Sequence, residues 1–117
     1  MQRFAIFLIA VLMAAVPRVA LAHAVLVSST PQKNAAVSGP DITFSLKYNS
    51  RVDGARSALS LLKPDGKIER IGGLTQPLPD VVSATEHGLG KGAYVLRWQV
   101  LSSDGHITRG EVPFQVQ

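Results

Sequence analysis

Between residues 42 and 48 the side chains alternate without a break: Ile42, Phe44, Leu46 and Tyr48 are apolar, and Thr43, Ser45 and Lys47 between them are polar. Over residues 94–101, Tyr94, Leu96, Trp98 and Val100 are interleaved in the same way with Val95, Arg97, Gln99 and Leu101. A period of two sends successive side chains to opposite faces, so each stretch reads as a strand with one face on a core. From Ala24 onward no convincing helical period appears, which excludes helical bundles and α/β folds. The chain is expected to be all-β.

The remaining strands are shorter. Residues 24–27 read as a first strand, stopped by Ser28-Ser29-Thr30-Pro31, and residues 32–40 as a polar connection. Residues 49–56 are loop-like. Residues 57–62 and 67–71 flank Lys63-Pro64-Asp65-Gly66, where proline presets the first turn angle and glycine accepts a positive φ, so the two form a hairpin. Residues 72–79 read as an irregular link, residues 81–85 as a strand and residues 86–92 as a glycine-rich turn. Val112, Phe114 and Val116 form the last strand, and Pro113 marks it as an edge or a bulge because proline cannot donate to a ladder. About seven short strands with regular turn signals predict two packed antiparallel sheets, an immunoglobulin-like β-sandwich, with the Trp98 strand at its centre.

The first 22 residues follow a different logic. Arg3 precedes an almost wholly apolar run over residues 4–16, which leads to Val19-Ala20-Leu21-Ala22. A positive start, a short apolar run and an Ala-x-Ala site are the order of a cleavable secretory signal, residues 1–22. A membrane anchor fits less well, since the run falls short of the roughly 20 residues a span requires and Pro17-Arg18 interrupts it. Cleavage after Ala22 leaves a single exported domain, residues 23–117, expected to be a soluble periplasmic monomer. It removes two arginines and no acid, so the formal charge of +4 falls to +2. The remaining basic residues are scattered singly, which gives no footprint for nucleic acid.

The 117 residues include no cysteine, which excludes thiolate metal sites, cysteine nucleophiles and disulfides. Both methionines, Met1 and Met13, lie in the expected leader, so the mature domain has no thioether for Cu(I). What the domain does carry is Asp104-Gly105-His106 after the long strand, and His23 as its first residue. An N-terminal His offers an α-amine and Nδ1 on one residue; His106 adds a third nitrogen and Asp104 an oxygen. Such a set favours tetragonal Cu(II) over Zn(II), and calcium and magnesium are disfavoured. The bland alternative is that Asp104 caps a turn, His106 is solvated and His23 merely follows the signal. His87, in Thr85-Glu86-His87-Gly88, reads as a solvated turn residue and not a ligand.

The opening His23-Ala24-Val25-Leu26-Val27-Ser28-Ser29-Thr30-Pro31 resembles the mature start of the CopC family of periplasmic copper-binding proteins. Lys63-Pro64-Asp65-Gly66-Lys67 resembles its central hairpin. Gly92-Ala93-Tyr94-Val95-Leu96-Arg97-Trp98, then Ser103-Asp104-Gly105-His106, Gly110 and Phe114, resemble its C-terminal signature. The resemblance covers essentially the whole mature domain. It implies a barrel-like Greek-key β-sandwich that holds one Cu(II) ion through the amine and Nδ1 of His23, with Asp104 and His106, in copper resistance or supply. A CopD-type inner-membrane copper transporter is the partner it suggests. Two departures are visible: Ser50 stands where some members carry a glutamate, and no methionine-rich loop exists, which points to a Cu(II)-only variant.

Other functions compete. A histidine pair at the N-terminus also resembles the copper brace of lytic polysaccharide monooxygenases. Ninety-five residues leave little room for a flat substrate face, however, and Tyr48 and Tyr94, the only tyrosines, alternate with core positions. A metal-free adhesion or interaction sandwich is the second alternative. A hydrolase is poorly supported, because Ser103, Asp104 and His106 crowd one turn where a triad converges from separate elements. The expectation is a binding protein, not an enzyme.

Overall fold

The computed structural model describes residues 23–117, so the expected leader, residues 1–22, lies outside the described residues. Nine strands follow in chain order: β1 (Leu26–Thr30), β2 (Ala35–Val37), β3 (Ile42–Tyr48), β4 (Val52–Leu62), β5 (Ile68–Ile71), β6 (Thr75–Leu78), β7 (Val81–Glu86), β8 (Gly92–Ser102) and β9 (Ile107–Val116). They form a four-stranded sheet in the order β1-β3-β7-β6 and a five-stranded sheet in the order β2-β9-β8-β4-β5. All pairs are antiparallel except β2 with β9. The molecule is the expected immunoglobulin-like β-sandwich.

The alternating stretches form the two facing surfaces. Phe44, Leu46 and Tyr48 of β3 are buried, as are Leu59 and Leu61 of β4, Leu96 and Val100 of β8, and Val112 and Phe114 of β9. Phe114 ties the layers together: its ring meets Phe44 edge-on at 5.5 Å and stacks on Tyr94 at 5.6 Å. Trp98 lies edge-on to Tyr48 at 5.3 Å. Its indole also covers Gly110, directly opposite it on β9, where a Cβ would fall 2.3 Å from Cζ2. Only glycine admits that approach. As expected, β8 is central, hydrogen-bonded to β4 on one side and β9 on the other.

Several strand expectations require correction. The first strand, expected over residues 24–27 with a stop at Ser28, runs over Leu26–Thr30, because Ser28, Ser29 and Thr30 pair with Lys47, Leu46 and Ser45 of β3. The connection over residues 32–40 contains β2, whose three residues pair in parallel with Phe114, Gln115 and Val116; so short a strand shows no period. The loop over residues 49–56 is largely strand, since β4 starts at Val52, and a register shift between Asp53 and Ala58 hides its alternation. The link over residues 72–79 contains the exposed edge strand β6, where Pro77 is tolerated. Finally, β9 is an interior strand, flanked by β2 and β8. Pro113 is accommodated because its carbonyl accepts the Asn34 N–H at 2.6 Å, just before the β2 ladder opens at Ala35, where no donor is required of it.

Candidate metal centre

Strand β8 ends at Ser102 and β9 begins at Ile107, opposite Leu101. The hairpin between them closes through the Ser102 N–H, which donates to the His106 carbonyl at 2.8 Å, and the Gly105 N–H, which donates to the Ser102 carbonyl at 3.0 Å. Gly105 takes φ +86°, the left-handed conformation that ends a three-residue hairpin loop. Asp104 therefore sits on the turn and His106 on its descending side. The turn role and the outward presentation of a carboxylate and an imidazole belong to the same geometry.

Asp104 organises this loop. Its Oδ1 accepts the His106 N–H at 3.0 Å and lies in short contact with the Ser102 hydroxyl; its Oδ2 is 2.9 Å from His106 Nδ1. The Ser102 hydroxyl, the His106 ring and the His106 N–H, in that order of effect, hold the Asp104 carboxyl well below the usual carboxylate range. Asp104 is thus ionised without having to surrender a proton. Ser102 is buried, and its Oγ also lies 2.9 Å from the His106 carbonyl. It has one proton to give, which the charged acceptor takes in preference.

His23 approaches from the other sheet, just before β1. Ala24 is buried in the core, and Val25 is held on both sides by Asn49: the Asn49 N–H donates to the Val25 carbonyl at 2.9 Å, and Asn49 Oδ1 accepts the Val25 N–H at 2.8 Å. The His23 ring lies 5.1 Å from the His106 ring, edge-on. Its Nδ1 is buried and has no hydrogen-bond partner, a costly condition for an imidazole nitrogen unless something else fills its lone pair.

The three sequence-predicted residues come together. One ligand atom from each of His23, Asp104 and His106 lies within 4.8 Å of the others, and this is the trio of that kind among the described residues. Two donors about 2.0 Å from one divalent ion and at right angles are about 2.8 Å apart, so the Asp104–His106 separation suits a shared ion as well as a hydrogen bond. His87 is elsewhere, exposed and 3.0 Å from Asp41 Oδ1. Ser50 lies in the loop after β3 with its Oγ buried and unpartnered. The Asp104 carboxylate stands between the Ser102 hydroxyl and His106, an order different from that of a serine triad, in which the histidine is in the middle. Sequence reasoning missed Ser102 and Asn49. The i, i+2, i+4 spacing of Ser102, Asp104 and His106 was a usable signal for the first, and nothing local marked the second.

A β-sandwich that brings His23 against a hairpin carboxylate and imidazole defines a class, the small all-β domain with two imidazoles and a carboxylate gathered at one pole. The CopC domain family model matches residues 26–117, and the chain belongs to that family. The copper resistance protein C of Xanthomonas campestris pv. juglandis is 29% identical over 105 residues, spanning 84% of this chain and 83% of that protein. The crystal structure of CopC from Methylosinus trichosporium OB3b matches with a TM-score of 0.72 and 32% identity, over 81% of this chain and 94% of that one. PcoC of Escherichia coli, described as a methionine-rich copper resistance protein, shares the fold at 24% identity with a TM-score of 0.68, over 81% and 99% of the two chains.

Proposed function

We propose that the protein is exported, cut after Ala22, and holds one Cu(II) ion in the periplasm through the amine and Nδ1 of His23, Asp104 and His106, as a carrier or buffer in copper homeostasis and resistance. The observation that carries the reading is the meeting of His23, Asp104 and His106 within 4.8 Å, with an unpartnered buried nitrogen on His23. Family membership and the copper resistance protein among its relatives support the choice of metal. The donor chemistry points the same way. Nitrogen and carboxylate donors without sulfur suit Cu(II), and both methionines precede the matched domain.

Each residue has a distinct task. His23 offers its ring nitrogen and, after processing, its amine. The ionised Asp104 lowers the net charge at the site, and the Ser102 hydroxyl limits its rotation. His106 is steadied by the hairpin hydrogen bonds. The exposed pole lets the ion be passed on by ligand exchange, to a CopD-type inner-membrane transporter or another periplasmic copper protein. No catalytic step is assigned.

The test is Cu(II) affinity by chelator competition for His23→Ala, His106→Ala and Asp104→Ala of the processed protein. The two histidine variants are expected to weaken binding at least about 100-fold and Asp104→Ala about 10-fold or more. Unchanged affinity in the histidine variants contradicts the assignment.

A further inference from the structure

His23 precedes the first ladder pair, Leu26 with Tyr48, by three residues. Chain ends of that length fray unless something ties them down. Here Asn49 does the tying. Its backbone N–H and its side-chain Oδ1 together engage the carbonyl and N–H of Val25, at 2.9 and 2.8 Å. The side-chain oxygen takes the place of a strand carbonyl, so the sheet is prolonged by one position toward His23. Ala24, 1% exposed, completes the anchor. Asn49 itself is exposed and contributes nothing to the core, so its presence is not explained by packing.

We propose that Asn49 is a positioning residue for the metal centre: its side-chain carbonyl pins Val25 so that His23 faces Asp104 and His106 before the ion arrives. The inference rests on the Cu(II) reading above. An unpinned end spends only part of its time in the binding geometry, and apparent affinity falls by that fraction.

The experiment uses protein purified from the periplasm, its N-terminus verified by mass spectrometry, as wild type, Asn49→Ala and Asn49→Asp. Aspartate keeps an acceptor oxygen at the same reach. Amide exchange at Val25 is measured on the metal-free protein, then Cu(II) affinity and the electron paramagnetic resonance spectrum. Asn49→Ala is expected to speed exchange at Val25, weaken Cu(II) about tenfold and give a mixed spectrum, while Asn49→Asp restores affinity to within about threefold of wild type. Faster exchange with affinity within about twofold and an unchanged spectrum overturns the inference alone, as does unaltered exchange at Val25. Wild-type protein that binds Cu(II) without using His23 overturns the underlying reading together with it. The Val25 exchange rates still report whether the clamp exists.

Discussion

Asp104 shows how much one side chain can settle locally. Its two oxygens engage a buried hydroxyl, a backbone N–H and an imidazole, so the carboxylate is oriented and charged before any ion is present. The residue types of the site were legible: a histidine at a predicted processing point, and an Asp-x-His on a predicted turn. Their partners were not. Ser102 and Asn49 act through hydrogen bonds whose existence depends on strand register, and a polar residue in a sequence carries no mark of register. Glu86 shows the same dependence. Burial, and then the nearby Glu69 carboxylate, push its carboxyl above the usual range, while Lys63 in contact with Glu69 lowers that of Glu69. A raised acid binds its proton more tightly in the folded state, so its contribution to stability declines as pH rises through its titration. Glu86→Gln, which supplies a permanent donor, is therefore expected to stabilise the protein at pH 7 by about 0.5 kcal/mol, a few degrees in Tm. The gain should vanish near pH 4, where Glu86 is already protonated. Thermal melts at the two pH values check it; an equal gain at both would refute the sign.

The elements that alternate over seven or more residues, β3 and β8, were plain in the sequence because burial on one face repeats at every second position. The hairpin of β4 and β5 was equally plain, since Lys63-Pro64-Asp65-Gly66 carries its own turn chemistry and Gly66 takes φ +84° as that turn requires. Strands β2 and β6 were hidden by their brevity, and the start of β4 by a bulge that breaks the period. In each case pairing with a distant segment, not local preference, creates the strand. The site hairpin joins both kinds of information, for Asp104-Gly105 is a turn signal and Asp104 a proposed ligand. Gly105→Ala tests how far the site depends on that turn. A Cβ at Gly105 meets no neighbour within 4 Å, so its effect comes from the backbone alone. It is expected to cost about 1–2 kcal/mol in denaturant unfolding and to weaken Cu(II) binding, because the left-handed conformation is strained for alanine. Unchanged unfolding and affinity would mean that the loop has an alternative path of equal energy.

At the scale of the whole molecule, the sandwich serves to bring two distant parts of the chain to one pole. Strand β1 belongs to the four-stranded sheet and β8–β9 to the five-stranded sheet, and the aromatic contacts of Phe44 with Phe114 and of Tyr48 with Trp98 hold those sheets in register. The core that fixes this geometry contains no cysteine. The order of strands places His23 beside residues 104–106, which no local reading of either segment could have shown, and the CopC-like motifs at the two ends were the sequence's one pointer to it. The proposed site depends most on a covalent event, the proposed cut after Ala22, which would free the His23 amine. The most direct measurement is Cu(II) titration with electron paramagnetic resonance of the processed protein beside a version carrying one additional residue before His23. Tight one-to-one binding is expected, with a tetragonal, nitrogen-rich spectrum that weakens or changes its nitrogen hyperfine pattern in the extended version. The same spectrum and affinity in both would contradict it, since the amine would then have no part in holding the ion.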